Sequence, residues 1–206
     1  MAKRILVTGC AGFIGSNLCK RLLDEGYKVV GIDNLAYGLE ENIPEGVEFY
    51  KSDVRSRDIY PLFKNIDVVF HLAAKNCIND CQNDPVETAD INVRGTVNVL
   101  EAARCAKVQK VIYAESSALY EGSQIFPTPE SEVYPESFYA VSKSSGMYFA
   151  EAYRRFFDLN TVALRYFCVY GPVQDYRRTI PPVMSAFIIK LLKGEHPVIY
   201  LSLIHI

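Results

Sequence analysis

Short apolar runs alternate along the chain with longer stretches whose apolar residues recur at helical spacing. The short runs are typical of buried strands, and the stretches between them are typical of amphipathic helices. The predicted strands are residues 5–7, 28–33, 47–53, 67–74, 110–114 and 161–165, and the predicted helices are residues 16–25, 59–64, 86–106 and 138–157. Strands that alternate with helices form a parallel sheet covered on both faces. The pattern therefore predicts an α/β fold with a doubly wound parallel sheet, which binds ligands at the carboxyl ends of its strands.

The first predicted strand runs directly into a glycine-rich loop. Its spacing is G-x-x-G-x-x-G, with glycines at Gly9, Gly12 and Gly15, and the first predicted helix follows. Glycines let the backbone turn sharply and approach a ligand closely, and a helix N-terminus offers free N–H groups to a phosphate. The loop is a candidate pyrophosphate site, and a plain tight turn is the alternative reading.

An acidic residue, Asp33, ends the second predicted strand. A carboxylate in this place accepts hydrogen bonds from the ribose hydroxyls of adenosine and repels a 2′-phosphate. Asp33 therefore favours NAD over NADP. The order of loop, helix, strand and acid predicts a Rossmann-type dinucleotide-binding fold.

Charge and cysteine content narrow the class of protein. The 206 residues carry 22 basic and 24 acidic side chains, a balance that predicts no nucleic-acid partner and no anionic membrane partner. No apolar run approaches the length of a membrane span, so a soluble cytoplasmic protein is expected. Six cysteines are scattered through predicted core segments, which suits reduced thiols. Cys77 and Cys81 have a spacing that metal ligands use, but no second pair follows and no metal is expected.

Candidate proton-transfer groups follow the fifth predicted strand. Ser116 and Ser117 stand just after it, and Tyr139 and Lys143 stand four residues apart at the start of the next predicted helix. Residues at this spacing face the same way, so the Lys143 ammonium is expected to favour the Tyr139 phenolate and to lower the tyrosine pKa from about 10. Surface helices carry such pairs by chance, but the position beside a cofactor-binding sheet favours a catalytic set.

Taken together, these motifs resemble the extended short-chain dehydrogenases/reductases of the NAD-dependent epimerase/dehydratase family. Within it, the pattern is most similar to the 4-epimerases of UDP-hexoses and UDP-N-acetylhexosamines. The resemblance runs from about residue 3 to residue 200. The matching motifs are residues 8–15, 33–35, 53–54, 71–74, 92–96, 116, 139, 143, 165–167 and 169–172.

The resemblance implies a role for each motif. Catalysis falls to Ser116, Tyr139 and Lys143, with Ser117 as the alternate hydroxyl. The implied NAD contacts are Gly9, Gly12, Phe13, Ile14, Gly15, Asp33, Asn34, Asp53, Val54, Leu72, Ala73, Ala74, Asn92, Tyr139, Lys143 and Tyr166. The implied contacts with a UDP-sugar are Lys75, Ser116, Ser117, Tyr139 and Cys168. Tyr139 would take the proton of the C4 hydroxyl as the hydride leaves C4, and the resulting 4-keto sugar would be reduced again on its other face.

Departures from the family pattern bear on the reaction. Dehydratases of the family carry an Asp–Glu pair where this chain has Ser117 and Ala118, and nucleotide-sugar decarboxylases use a glutamate where Ala118 stands. Without those groups, epimerisation is the reaction that the site most plainly supports. Cys168 replaces an asparagine that contacts the substrate diphosphate in relatives, which would alter binding there. The alternatives are a nucleotide-sugar dehydrogenase, reductase or dehydratase of the same family, and a non-catalytic NAD-binding sensor or fragment.

The resemblance also sets expectations for domains and assembly. Residues 1–170 are expected to form the NAD-binding domain, and residues 171–200 the beginning of a C-terminal substrate-binding lobe. Residues 201–206 fit no family segment and are interpreted as read-through after a truncation that removes most of that lobe. A homodimer of the full-length protein is expected, with the helices at 86–106 and 138–157 as the candidate interface.

Overall fold

The computed structural model of this chain describes residues 2–177 and 181–198. By its internal contacts the chain divides after Phe167 into a large first unit and a smaller second unit. The segment 201–206, interpreted above as read-through, lies outside the described residues. No helix in the described ranges is long and apolar enough to cross a membrane.

The first unit is built on one six-stranded sheet. Its strands are β1 (Arg4–Thr8), β2 (Lys28–Asp33), β3 (Glu48–Lys51), β4 (Val68–His71), β5 (Lys110–Ser116) and β6 (Thr161–Tyr166). They lie in the order β3-β2-β1-β4-β5-β6, and all neighbouring strands pair in parallel. The predicted Rossmann-type sheet is confirmed. The strand order reverses between β1 and β4, so the ligand crevice of this fold class lies at the carboxyl ends of those two strands.

Helices connect the strands. They are α1 (Phe13–Asp24), α2 (Ile78–Asn83), α3 (Pro85–Ala89), α4 (Gly95–Cys105), α5 (Phe138–Phe157) and, in the second unit, α6 (Val183–Leu192). The predicted helix at 59–64 is a 3₁₀ segment, Arg57–Phe63. The predicted single helix at 86–106 is instead α3, a π-helical turn at Asp90–Arg94 and α4 in succession. Asp84 begins this series, because its side chain accepts a hydrogen bond from the Glu87 N–H at 2.8 Å.

Two apolar clusters cover the two faces of the sheet. Successive side chains of a strand point to opposite faces, and β1 shows this plainly. Leu6 lies in the cluster beneath α4 and α5, whereas Ile5 and Val7 lie in the cluster beneath α1. Packing on both faces fixes the sheet rigidly, and with it the positions of the loops at the carboxyl ends of the strands.

Candidate functional site

The glycine loop between β1 and α1 leaves no room for side chains. Gly9 has a φ of +74°, and a Cβ there would stand 2.9 Å from the backbone N of Ala73. A Cβ on Gly15 would stand 2.0 Å from the carbonyl oxygen of Gly9. Helix α1 begins after Gly12, which supplies no side-chain cap to the first N–H groups. A bare backbone at a helix N-terminus suits a phosphate, so the loop fits the predicted pyrophosphate role.

The predicted ribose-binding acid is fastened to this loop. Asp33 ends β2, and its carboxylate accepts hydrogen bonds from the N–H of Ala11 at 3.0 Å and from the N–H of Leu35 at 2.8 Å. A carboxylate has about four lone-pair sites, so two further bonds can still be accepted. Asp33 therefore stands beside the glycine loop with capacity for the two hydroxyls of a ribose.

The predicted adenine-binding acid lies next to the ribose-binding segment. Asn34 donates a hydrogen bond from Nδ2 to Asp53 at 3.0 Å. Arg55 also bonds the Asp53 carboxylate, at 2.7 Å from Nη2, and holds the pKa of that carboxyl well below its usual range. The neighbouring Val54 is buried and lies against Gly95 at the start of α4, where a Cβ would come within 2.9 Å of it. Asn34 and Asp53 thus form a fixed, charged rim next to Asp33.

A buried polar chain joins β1 to the π-helical turn. Thr8 accepts hydrogen bonds at Oγ1 from the N–H groups of residues 72 and 73, both at 3.2 Å, so its own hydrogen goes to His71 Nδ1 at 2.7 Å. His71 Nε2 then carries the ring hydrogen and donates to Thr96 Oγ1 at 2.9 Å, and Thr96 donates to the carbonyl of Asn92 at 2.6 Å. Burial lowers the pKa of His71 to about 3, so the ring is neutral. This series of hydrogen bonds holds residues 72–74 in place over Gly9.

Asn92 uses its side chain to fasten two other segments. Its Oδ1 accepts from the N–H of Lys75 at 2.8 Å, and its Nδ2 donates to the carbonyl of Lys75 and to Ser142 Oγ, both at 2.9 Å. The Lys75 side chain is itself buried, and its ammonium pairs with Glu87 at 2.5 Å. Asn92 therefore links the segment after β4 to the helix α5 that carries Tyr139.

The predicted hydroxyl and phenol meet at the carboxyl end of β5. Ser116 is the last residue of β5, and Tyr139 lies in the first turn of α5, which Ser137 caps by accepting from the Ala140 N–H at 3.1 Å. Ser116 lowers the pKa of Tyr139 against the larger effect of burial, which raises it, whereas Ser117 heads the 3₁₀ turn that follows the strand. The structure thus brings together the first serine of the pair and the tyrosine.

Lys143 lies with its ammonium against an aromatic ring of β5. Its Nζ lies 4.4 Å from the centroid of the Tyr113 ring, and burial lowers its pKa to about 8. Burial raises the pKa of Tyr139, and Ser116 is what opposes that rise. The effect of Lys143 on the tyrosine pKa therefore stays a prediction, since its ammonium lies against the Tyr113 ring and the pKa of Tyr139 responds chiefly to burial and to Ser116.

Sequence reasoning gave no role to Tyr113, which positions the lysine. Its hydroxyl donates to the carbonyl of Lys143 at 3.1 Å, and its ring stacks on His71 with centroids 5.9 Å apart. The hydroxyl fits only because residue 146 is glycine, since a Cβ there would stand 2.3 Å from it. The available signal was a glycine in the interior of α5, one turn beyond Lys143, where helices usually avoid it.

The remaining predicted residues are less closely grouped. Leu72, Ala73 and Ala74 follow β4 directly, and Phe13 and Ile14 open α1. Tyr166 ends β6, where it is paired in register with Ser116. Cys168 belongs to the second unit. Within the described ranges, no three His, Cys, Asp or Glu side chains are grouped so as to hold a metal ion, and all six cysteines are free thiols.

Fold and site together define a dinucleotide-binding α/β protein with a serine, a tyrosine and a lysine at the carboxyl end of β5. The chain belongs to the NAD dependent epimerase/dehydratase family, whose model matches residues 5–203. It is 41% identical over 181 residues to a UDP-glucose 4-epimerase of Mycolicibacterium smegmatis, an alignment that covers 84% of this chain and 58% of the relative.

Solved structures agree with this assignment. A UDP-N-acetylglucosamine 4-epimerase from Methanobrevibacter ruminantium M1, in complex with UDP-N-acetylmuramic acid, superposes with a TM-score of 0.92 at 36% identity. That match covers 97% of this chain and 66% of the other. A Thermus thermophilus UDP-glucose 4-epimerase in complex with NAD gives a TM-score of 0.87 at 36% identity, over 95% of this chain and 64% of the other. The chain therefore spans less than two thirds of the length of these relatives.

Proposed function

We propose that this protein is a nucleotide-sugar 4-epimerase that uses NAD and acts on a UDP-hexose. The observation that carries the proposal is that Ser116 ends β5 and Tyr139 lies in the first turn of α5, where Ser116 lowers the tyrosine pKa, while Ser117 and Ala118 follow Ser116 in the chain. These groups can move a proton to and from a hydroxyl, but they include no second acid and base for eliminating water. The family relatives named above as 4-epimerases support the same reaction.

The first unit offers a fitting site for NAD. The bare glycine loop and the N-terminus of α1 would hold the pyrophosphate, and Asp33 would accept the hydroxyls of the adenosine ribose. Asn34 and Asp53 would border the adenine. When bound, NAD supplies the acceptor that takes a hydride from C4 of the sugar and later returns it.

Tyr139 and Lys143 divide the proton chemistry between them. Tyr139 would take the proton of the C4 hydroxyl and later give one back, while Ser116 hydrogen-bonds the same oxygen. Burial raises the pKa of Tyr139, so its deprotonation requires a positive charge nearby. Lys143 supplies that charge, because with a pKa lowered to about 8 it remains largely protonated at neutral pH.

The test is conversion of UDP-glucose to UDP-galactose by the purified protein, followed by anion-exchange chromatography, with NAD measured in the supernatant after denaturation. We expect conversion without net NADH, and a loss of at least about a hundredfold in Tyr139→Phe. Tyr134→Phe is the matched control, because that tyrosine is exposed in the loop before α5. NADH formed in step with product would identify a dehydrogenase, and wild-type turnover in Tyr139→Phe would refute the role of the phenol.

We further propose a cytoplasmic homodimer that associates through α5. Five aromatic side chains of this helix are exposed: Phe138, Tyr148, Phe149, Phe156 and Phe157. Exposed apolar groups concentrated on one helix are typical of an interaction surface. The six free thiols suit a reducing compartment.

A further inference from the structure

A buried glutamate lies next to the catalytic set. Glu115 immediately precedes Ser116 on β5, and only 3% of it is exposed. Its Oε2 accepts a hydrogen bond from Arg165 Nε at 2.6 Å, but its Oε1 is buried without a hydrogen-bond partner within the described residues. Burying an unsatisfied carboxylate oxygen is costly, so this oxygen requires an explanation.

Arg165 cannot satisfy both oxygens, because the rest of its guanidinium is committed elsewhere. Its Nη1 donates to Tyr120 Oη at 2.7 Å and to the carbonyl of Glu130 at 2.6 Å, and its Nη2 lies 3.7 Å from Met147 Sδ. The arginine therefore orients the carboxylate and lowers the pKa of Glu115, opposing the larger effect of burial, which raises it. The second oxygen remains free to act on another cation.

Lys143 is the cation on the same face of the sheet. Tyr113 and Glu115 are two residues apart on β5, so their side chains point to the same side. Tyr113 contacts Lys143 through both its ring and its hydroxyl, and Arg165 reaches Met147, one turn further along α5. Glu115 therefore lies between β5 and α5 in the layer that holds the Lys143 ammonium. In agreement, the Glu115 carboxylate raises the pKa of Lys143 against the opposing effect of burial.

We propose that Glu115 is a positioning residue for Lys143: the Glu115 carboxylate keeps the buried ammonium charged and in place against the Tyr113 ring. The coupling of the two charges is independent of the reaction, and only its consequence for catalysis rests on the proposed function. Without the carboxylate, Lys143 would share a buried layer with the uncompensated charge of Arg165. The ammonium would then lose its proton at a lower pH and, with it, its ability to stabilise a phenolate.

The direct test is to titrate Lys143 by NMR in protein labelled with ¹³Cε-lysine, with the resonance assigned by Lys143→Arg. The groups facing Glu115 are Arg165 of β6, Lys143 of α5, Tyr113 of β5 and Glu130 of the loop before α5. Burial raises the pKa of Tyr113 far above its usual value, so Lys143 is the one of these groups that titrates in the alkaline range studied. We expect Glu115→Gln to lower the midpoint of Lys143 by about one pH unit or more. Glu115→Asp, which retains the charge, should keep a midpoint closer to that of the wild type.

Glu101→Gln is the matched control, because Glu101 also pairs with an arginine, Arg104 at 2.6 Å, but lies on α4. It should leave the Lys143 midpoint unchanged. The same midpoint in Glu115→Gln and wild type would overturn the inference.

A reciprocal measurement covers the case in which Glu115→Gln does not fold. Coupling between two titrating groups is mutual, so Lys143→Met should raise the midpoint of Glu115 in protein labelled with ¹³Cδ-glutamate. An unchanged Glu115 midpoint would refute the coupling.

Activity assays separate this inference from the proposed function. If the protein is an active epimerase, the alkaline limb of its kcat/KM profile should shift downward in Glu115→Gln by the same amount as the Lys143 midpoint. If the titration midpoints of Glu115 and Lys143 are coupled but the protein has no epimerase activity, the proposed reaction is refuted and the role of Glu115 is supported. If the protein is an active epimerase but the two midpoints are independent, the proposed reaction is supported and the role of Glu115 is refuted.

Discussion

Replacing Gly146 tests the packing of α5, the helix that carries Tyr139 and Lys143, against β5. A Cβ at this position would stand 2.3 Å from the Tyr113 hydroxyl oxygen and 2.6 Å from the ring carbon that bears it. Ordinary contacts are longer by more than 1 Å, so in Gly146→Ala the tyrosine or the helix has to move. Overpacking of this kind costs about 1–3 kcal/mol. Losing the 3.1 Å hydrogen bond from Tyr113 to the Lys143 carbonyl adds about 1 kcal/mol.

One term opposes these costs. Alanine in a helix interior is favoured over glycine by about 1 kcal/mol. The net expectation is that Gly146→Ala lowers the free energy of unfolding by about 1–3 kcal/mol. Because Tyr113 also supports the Lys143 ammonium, we expect weaker NAD binding in the same variant.

Urea unfolding followed by circular dichroism measures the first effect, and calorimetric titration with NAD measures the second. Ser145→Ala is the control, since it changes the neighbouring, half-buried residue, whose hydroxyl bonds only the Val141 carbonyl of the same helix within the described residues. A Gly146→Ala protein as stable as the wild type or more so would refute the reasoning. It would mean that helix propensity outweighs the contact with Tyr113.

Three further predictions concern other parts of the first unit. The pKa of His71 is lowered to about 3 in the folded protein. The contribution of His71 to stability is therefore present above pH 6.5 and is lost as the pH falls towards 3, and the loss amounts to at most about 5 kcal/mol. An NMR titration should show no protonation of the ring at pH 5. Asp33→Ser should lower the preference for NAD over NADP by at least about tenfold in binding titrations, with Asp24→Ser unchanged, and an unaltered preference would count against the ribose contact. Phe156→Arg on α5 should give a monomer by analytical ultracentrifugation, whereas a variant that stays dimeric would move the interface elsewhere.

The strands and the fold class could be predicted because their signals are local. An apolar run in the sequence indicates each buried strand, and the glycine loop with Asp33 indicates which end of the sheet binds a ligand. The π-helical turn at Asp90–Arg94 could not be predicted, because its apolar spacing continues that of the helices on either side. Asp84 followed by Pro85 was a readable start signal for that series.

The candidate site was predictable as a set of residues but not as an electrostatic arrangement. Ser116 and Tyr139 meet as expected because strand and helix deliver them to the same edge. The position of the Lys143 ammonium depends on Tyr113, and its charge depends on how deeply the side chain is buried. Both are set by packing between β5 and α5, which no local spacing in the sequence encodes.

The two edges of the sheet differ in how they resist association with other chains. The edge strand β3 has the sequence Glu-Phe-Tyr-Lys, so charged residues flank its apolar centre. At the opposite edge β6 exposes Val162 and Leu164 and carries no charge before Arg165. An edge with free backbone groups and exposed apolar residues templates the addition of foreign strands, whereas flanking charges discourage it. If this first unit were produced by itself, fibrillar or amorphous deposits would therefore grow from the β6 side, and a lysine at Val162 would be the simplest safeguard.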